Sequence, residues 1–138
     1  TFYVRVRNIM IKKGYKLPHE FPNESFIQEQ LEEYFIQLGY FVMPEKPIDL
    51  KCVHRANNET WIIEVKGRTT QIGLDFKTCL GQLLMRMDNP EYKYAIAMPD
   101  IISYHQQINK VPKAVLKQLN LHWLLISQDG MVTLISNT

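Results

Sequence analysis

Cysteine is scarce in this sequence, and its spacing is not that of a metal site. Only Cys52 and Cys79 occur among the 138 residues, with no CxxC pair and no histidine at ligand spacing, so neither a zinc site nor a disulfide scaffold is indicated. We expect two buried thiols, because cysteines in apolar surroundings behave as small hydrophobic residues. A disulfide between them is the alternative.

Long apolar runs and a large excess of one charge are also missing. No stretch approaches the roughly 18 apolar residues of a membrane span, and basic residues between Arg5 and Lys13 interrupt the start, unlike a signal peptide. We therefore expect a cytoplasmic protein without membrane contact. The net charge of +2 permits an anionic partner but does not indicate one. With 46% hydrophobic and 22% charged residues, residues 1–138 are expected to form one globular domain.

Helical and strand patterns alternate along the chain. Residues 2–13 favour a helix, since two lysines precede Gly14, although the alternation at their start is typical of a strand. An apolar stripe at helical spacing predicts a helix over 24–38, with Asn23 as its N-cap and Gly39 after its end. The remaining predictions are strands at 40–43, 48–54 and 61–66, a helix at 74–88, a strand at 92–98, one or two helices in 103–119, and a hairpin of 121–127 with 131–136 across Asp129 and Gly130.

This order of elements predicts an α/β fold with a mixed central β-sheet flanked by helices on both faces. The expected core covers residues 24–99 as helix, three strands, helix and strand. Residues 100–138 would add a helical segment and a β-hairpin.

One predicted strand carries an unexpected pair of charges. In the stretch WIIEVKG, Glu64 and Lys66 stand two residues apart in an apolar run, so they share one face of a strand. Unpaired buried charges cost several kcal/mol, and we expect this side of the strand to line a cleft. Acid-x-lysine triplets also begin at Asp49, Asp75 and Glu91. The triplet alone therefore has little specificity, but only the one at Glu64 lies inside an apolar strand that follows another acid-bearing strand.

Asp49 lies on that preceding strand, fifteen residues before Glu64. If the two strands form a hairpin, Asp49 and Glu64 approach on one face beside Lys66. Carboxylate oxygens are ligands for Mg²⁺, and a lysine there would orient or activate the attacking water at a phosphodiester. The competing interpretation is an ordinary salt bridge between Glu64 and Lys66, which would contribute little.

The stretches PIDL, WIIEVKG and GQLL, in this order, resemble the PD-(D/E)XK phosphodiesterase superfamily, which has the restriction-endonuclease-like fold. The resemblance covers residues 24–99 and implies an αβββαβ core and a hydrolase that cuts nucleic acid with Mg²⁺, or Mn²⁺ as a substitute. DNA is the expected substrate of this endonuclease. The combination of Ala-Met-Pro and LHWLLIS is similar to excision-controlling-factor proteins of mobile elements in the same superfamily. One departure is that Ile48 separates Pro47 from Asp49.

Carried over by position, the resemblance implies that Asp49 and Glu64 hold the metal and that Lys66 positions or activates water. A helix glutamate often joins the metal site in this superfamily. Glu29 is the first choice here, and Glu33, one turn on, is the alternative.

Further residues are implied at the edge of the site. Gln82 matches a catalytic-site glutamine on the helix after the Glu-x-Lys strand, and Arg86 shares its face one turn later. Lys51, Arg68, Lys77 and Arg86 are candidate contacts to phosphates, although each is also an ordinary surface residue. The rival to an enzyme is a non-catalytic nucleic-acid-binding or regulatory module on the same fold. A homodimer is expected, because many nucleases of this fold cut two strands as dimers.

Overall fold

The computed structural model describes residues 20–45 and 48–137, without the side chains of Glu45, Ile48 and Asp49. The helix predicted at 2–13 lies outside these residues. The elements are α1 (Glu24–Gln37), β1 (Tyr40–Glu45), β2 (Ile48–His54), β3 (Thr60–Val65), α2 (Ile72–Leu84), β4 (Lys93–Pro99), α3 (Ile102–Ile108), α4 (Lys113–Leu119), β5 (Leu121–Ile126) and β6 (Val132–Ile135).

The six strands form one mixed sheet in chain order, from β1 to β6. β1, β2 and β3 pair as an antiparallel meander. β3, β4 and β5 are parallel to one another, and β6 pairs antiparallel with β5. Parallel neighbours need a crossover connection, and helices supply it here: α2 links β3 to β4, and α3 with α4 links β4 to β5. The predicted α/β fold with a mixed sheet is confirmed.

The side chains of β3 alternate between two apolar layers. Trp61, Ile63 and Val65 pack in the layer that contains the buried stripe of α1. Ile62 packs in the other layer, with buried residues of α2, α3 and α4 such as Phe76. We call these two sides of the sheet the α1 face and the α2 face. Because β3 and β4 are covered on both faces, their sequences are apolar almost throughout rather than alternating.

The two cysteines lie in different layers. Cys52 packs on the α1 face and Cys79 on the α2 face, and both are buried free thiols. This confirms the prediction of buried thiols. Burial raises the pKa of the Cys52 thiol to about 12, and the nearby charge of Glu32 adds to the shift. Cys52 is therefore a packing residue rather than a nucleophile at neutral pH.

Three predicted boundaries are wrong in informative ways. β1 continues through Pro44, where the pairing with β2 shifts between Met43 and Glu45; a proline without an N–H is tolerated at such an irregularity on an edge strand. α2 spans Ile72–Leu84 rather than 74–88. The C-terminal hairpin does not turn on two residues alone. The amide of Gly130 bonds to Ser127 and that of Ser127 to Met131, and Gly130 has φ +87°, as in a three-residue hairpin loop.

One or two helices were expected in 103–119, and two are present, α3 and α4; the hairpin predicted after them is present as β5 and β6. Pro112 stands at the N-cap of α4, where its missing N–H costs no intrahelical bond. In the described part of the chain, no helix is both long enough and apolar enough to cross a membrane.

Candidate functional site

Glu64 lies near the carboxyl end of β3, enclosed between the sheet and the α2 layer. It pairs with Ile96 of β4 and follows Ile62 by two residues, so strand alternation places it on the α2 face. Only 5% of its surface is exposed. Glu64 is thus more enclosed than the cleft-lining residue that the sequence predicted, whereas Lys66, just after the strand, is half-buried.

The hairpin on which the metal-site prediction depends is present. β2 and β3 are antiparallel, with Leu50 opposite Ile63 and Lys51 opposite Ile62. Continuing this register by one residue brings the backbone of Asp49, which belongs to β2, level with Glu64. The side chain of Asp49 lies outside the described residues. A metal ion shared by the two carboxylates therefore stays a prediction.

Hydrogen bonds from two different elements hold the chain where it leaves β3. The amide of Lys66 donates to the carbonyl of Ala97 on β4, at 2.9 Å. One residue later, the hydroxyl of Tyr104 on α3 donates to the carbonyl of Gly67, at 2.6 Å. The backbone on both sides of the Lys66 Cα is thus tied to the rest of the fold.

Gly67 also contacts the start of α1 closely. A Cβ built on Gly67 would lie 2.3 Å from the amide nitrogen of Glu24 and 2.8 Å from the carbonyl carbon of Asn23. The next amide, that of Arg68, donates to the carbonyl of Pro22 at 2.9 Å. Only glycine fits this approach of two backbones, so residues 66–68 are set against α1 as well as against β4 and α3.

Tyr104 itself is completely buried on the α2 face, with 0% of its surface exposed. Burial raises the pKa of its hydroxyl, and the nearby Cys79, Asp75 and Glu24 add to the shift. The hydroxyl therefore keeps its proton at neutral pH and remains a donor to the Gly67 carbonyl.

Gln82 is exposed in the last turn of α2, two residues before the helix ends. A Cβ built on Gly73 would lie 3.5 Å from the side chain of Gln107 on α3, so this side of α2 faces α3. Gln82 comes nine residues later, and at about 100° per residue it occupies the opposite flank of the helix. It therefore points away from α3, toward the side of the sheet that carries β2 and β3. Because α2 runs back from the end of β3, Gln82 lies far along the helix from the turn that follows Lys66.

The four candidate phosphate contacts lie on different parts of the chain, and their joint role stays a prediction. Lys51 is half-buried on β2, with its Nζ 5.8 Å from the centre of the Tyr92 ring. Arg68 and Lys77 are exposed, and Lys77 stands about 140° around α2 from Gln82. Arg86, expected on the same helical face as Gln82, is exposed beyond the end of α2.

The proposed helix acids lie on the other side of the sheet. Glu29 and Glu33 are exposed on α1, whose buried stripe packs on the α1 face, whereas Glu64 lies on the α2 face. A depression of about 350 Å³ beside Glu29 is lined by Ser25, Gln28, Glu29 and Glu32. Among the side chains that the structure describes, which do not include those of Glu45 and Asp49, no three of histidine, cysteine, aspartate or glutamate are grouped to hold a metal ion. Glu29 as a third ligand beside Asp49 and Glu64 therefore stays a prediction.

Two residues of this region were missed by the sequence argument. Gly67 was visible in WIIEVKG, and a glycine directly after a charged strand was a signal for a close backbone approach. Tyr104 gave no such signal, because its bond to Gly67 joins residues 37 apart. It lies in the segment that the sequence assigned to appended elements.

Comparison with known proteins adds information on the fold. No family model matches the chain, and no curated protein matches it. Among solved structures, the crystal structure of an XisH family protein from Nostoc punctiforme PCC 73102 is similar, with a TM-score of 0.53 at 15% identity. The likeness covers 80% of this chain and 98% of that one. At this identity it shows a shared fold alone.

Proposed function

We propose that this protein is a metal-dependent nuclease that hydrolyses phosphodiester bonds in DNA. Asp49 and Glu64 hold Mg²⁺ in this proposal, and Lys66 acts on the attacking water. The observation that carries it is an enclosed glutamate near the end of a central strand, with a lysine two residues on and an aspartate level with it on the neighbouring strand. The fold shared with an XisH family protein supports the excision-related, nuclease-like branch loosely.

The donor set suits the metal. Both residues offer carboxylate oxygens, the ligands that Mg²⁺ prefers, and Mn²⁺ accepts the same ligands. When bound, the ion supplies a Lewis acid that lowers the pKa of a coordinated water and offsets phosphodiester charge. Glu29 has the least support as a metal ligand, because it lies on the α1 face whereas Glu64 lies on the α2 face.

The residues of the chain have separate tasks in this proposal. The ammonium group of Lys66 orients the water and offsets charge that develops on the phosphoryl oxygens. Arg68, exposed two residues later, contacts a neighbouring phosphate and so aligns the strand to be cut. Lys51 does the same from β2, and Gln82 bonds to the substrate from its flank of α2.

The test combines melting temperature with cleavage. For wild-type protein, Mg²⁺ or Mn²⁺ at about 100 times Kd should add roughly 2.7 kcal/mol of stability by ligand linkage. Glu64→Gln should abolish the metal-induced shift while leaving the circular dichroism spectrum unchanged. Lys66→Ala should keep the shift and lose cleavage of plasmid DNA. Glu91→Gln, which changes the exposed acid of another acid-x-lysine triplet, is the matched control and should keep both.

The rival function is a nucleic-acid-binding or regulatory module without catalysis. It needs only exposed basic side chains such as Arg68 and Lys77, which can contact phosphates without a metal ion. Under this alternative, wild-type protein binds DNA in a mobility-shift assay but does not cleave it in the presence of Mn²⁺. If the metal shift is absent and both substitutions at the site are neutral or destabilising, Glu64 and Lys66 form a structural pair and the nuclease proposal fails.

A further inference from the structure

We propose that Tyr104 is the positioning residue for Lys66: by donating to the Gly67 carbonyl, it sets the direction in which the lysine side chain leaves the backbone. The bond is 2.6 Å long and connects α3 to the turn after β3. This inference rests on the proposed function and adds a role for a residue 38 positions after the lysine.

The need for such a residue follows from Gly67. Glycine has wide backbone freedom, so a lysine followed by glycine has little local restraint on its direction. The bond from the Lys66 amide to Ala97 fixes only the preceding side of the lysine. On the following side, the Arg68 amide donates to the carbonyl of Pro22, and the Tyr104 bond holds the Gly67 carbonyl that lies between this amide and Lys66.

Tyr104 is suited to this role because it is itself immobile. Its ring is fully buried among side chains of the α2 face, in the same layer as Phe76 of α2. Because core packing holds the ring, the hydroxyl stays in one place. Catalytic groups that are positioned by such rigid neighbours keep the distances and angles that the reaction requires.

The chain offers a matched comparison for this bond. Tyr94 is also buried, and its hydroxyl donates to the carbonyl of Asn89 at 2.8 Å. This bond lies at the start of β4, whereas Ala97 and the turn of Lys66 lie at the other end of the strand. Tyr94→Phe and Tyr104→Phe each remove one hydroxyl that donates to a carbonyl, and the Tyr94 hydroxyl also accepts from the amide of Asn89. Only the Tyr104 variant affects the candidate site.

The first experiment measures kcat and KM for DNA cleavage in Mn²⁺ with both variants. Tyr104→Phe should lower kcat by roughly 10- to 100-fold, because displacing the Lys66 side chain by up to about 1 Å has an effect of this size on the rate. KM should stay within about twofold of the wild-type value. Tyr94→Phe should lower the melting temperature to a similar extent and keep kcat. Equal kcat for the two variants, whether both high or both low, would overturn the inference.

A second readout does not depend on activity. Amide hydrogen exchange should accelerate at Lys66 and Arg68 in Tyr104→Phe but not in Tyr94→Phe. After reductive ¹³C-methylation, the Lys66 resonance, assigned with Lys66→Arg, should move only in Tyr104→Phe. If wild-type protein does not cleave DNA, the proposed function fails and these signals still decide the positioning role. Unchanged exchange and an unchanged Lys66 resonance in Tyr104→Phe would overturn it.

Discussion

The two ends of β3 both carry an acid and a lysine, but in different arrangements. At its start, on the α1 face, the carboxylate of Glu59 lies 2.8 Å from the Nζ of Lys93 on β4 and accepts a hydrogen bond from the Tyr40 hydroxyl. The same ammonium lies 5.4 Å from the centre of the Trp61 ring. At the other end, on the α2 face, Glu64 is enclosed.

This difference separates a structural ion pair from a candidate catalytic pair. Each group at the start of β3 has its partner on another strand, so the cluster joins β1, β3 and β4. At the end of β3, the lysine follows the acid by two residues, just after the strand, and hydrogen bonds to other elements hold the backbone beside it. Lys93 shows why spacing alone misleads: it belongs to the triplet that begins at Glu91, yet its ion-pair partner is Glu59.

The largest expected effect is at the end of β3. Gly67→Ala should destabilise the protein by about 3 kcal/mol, the upper range for overpacking, because the new Cβ would meet the α1 backbone at 2.3 Å. Urea denaturation measures the change. Gly81→Ala is the control, since a Cβ on that α2 residue meets nothing within 4 Å. It should stabilise the helix by up to about 1 kcal/mol. Equal effects of the two substitutions would refute the close approach at Gly67.

A smaller effect is expected at the start of β3. Glu59→Gln should cost about 1 kcal/mol, because it removes the charge that pairs with Lys93, and both side chains are about one-third exposed to screening solvent. Metal-induced stabilisation and DNA cleavage should not change. Denaturation and cleavage assays on the same preparation check both statements. Loss of cleavage in Glu59→Gln would mean that the two ends of β3 are not independent.

The smallest expected effect is a change in how stability depends on pH. Burial lowers the pKa of His122, with the charge of Lys93 adding to the shift, and no partner bonds its buried Nδ1 in the described part of the chain. As pH falls, His122 therefore becomes protonated in the unfolded chain before it does in the folded chain, and stability falls below about pH 6.5. His122→Gln should remove this slope in melting curves recorded between pH 7 and 5. If the slope persists in the variant, another titratable group causes the pH dependence.

Glu59 contributes to the pH dependence of stability in a separate, more acidic range. The bonds from Lys93 and Tyr40 lower its pKa from 4.5, so its stabilisation is present above that value and is lost as pH falls through the lower pKa of the folded state. Glu59→Gln should flatten the acid limb below about pH 4.5. Because the charge of Glu59 raises the pKa of His122, this variant should lower that pKa further and leave the His122 slope in place. The two variants together therefore separate the two groups.

The fold was largely predictable because its signals are local. The stripe of Ile27, Leu31 and Phe35 determined a helix, and apolar strands bounded by turn residues determined a sheet with crossovers. One error occurred where a neighbouring strand decides the outcome. A proline such as Pro44 predicts the end of a strand, but an irregular pairing with β2 accommodates it within β1.

The sequence by itself predicted that Glu64 and Lys66 share one side of a strand, because the period of a strand is two residues; β3 contains Glu64 and ends one residue before Lys66. It also placed Asp49 on the strand before them. Only the tertiary structure decided that Glu29 lies on the opposite face of the sheet, that Lys93 pairs with Glu59, and that Tyr104 holds the turn after Lys66. These contacts join residues far apart in the chain, and their geometry depends on how helices pack on a twisted sheet, which local periodicity does not encode.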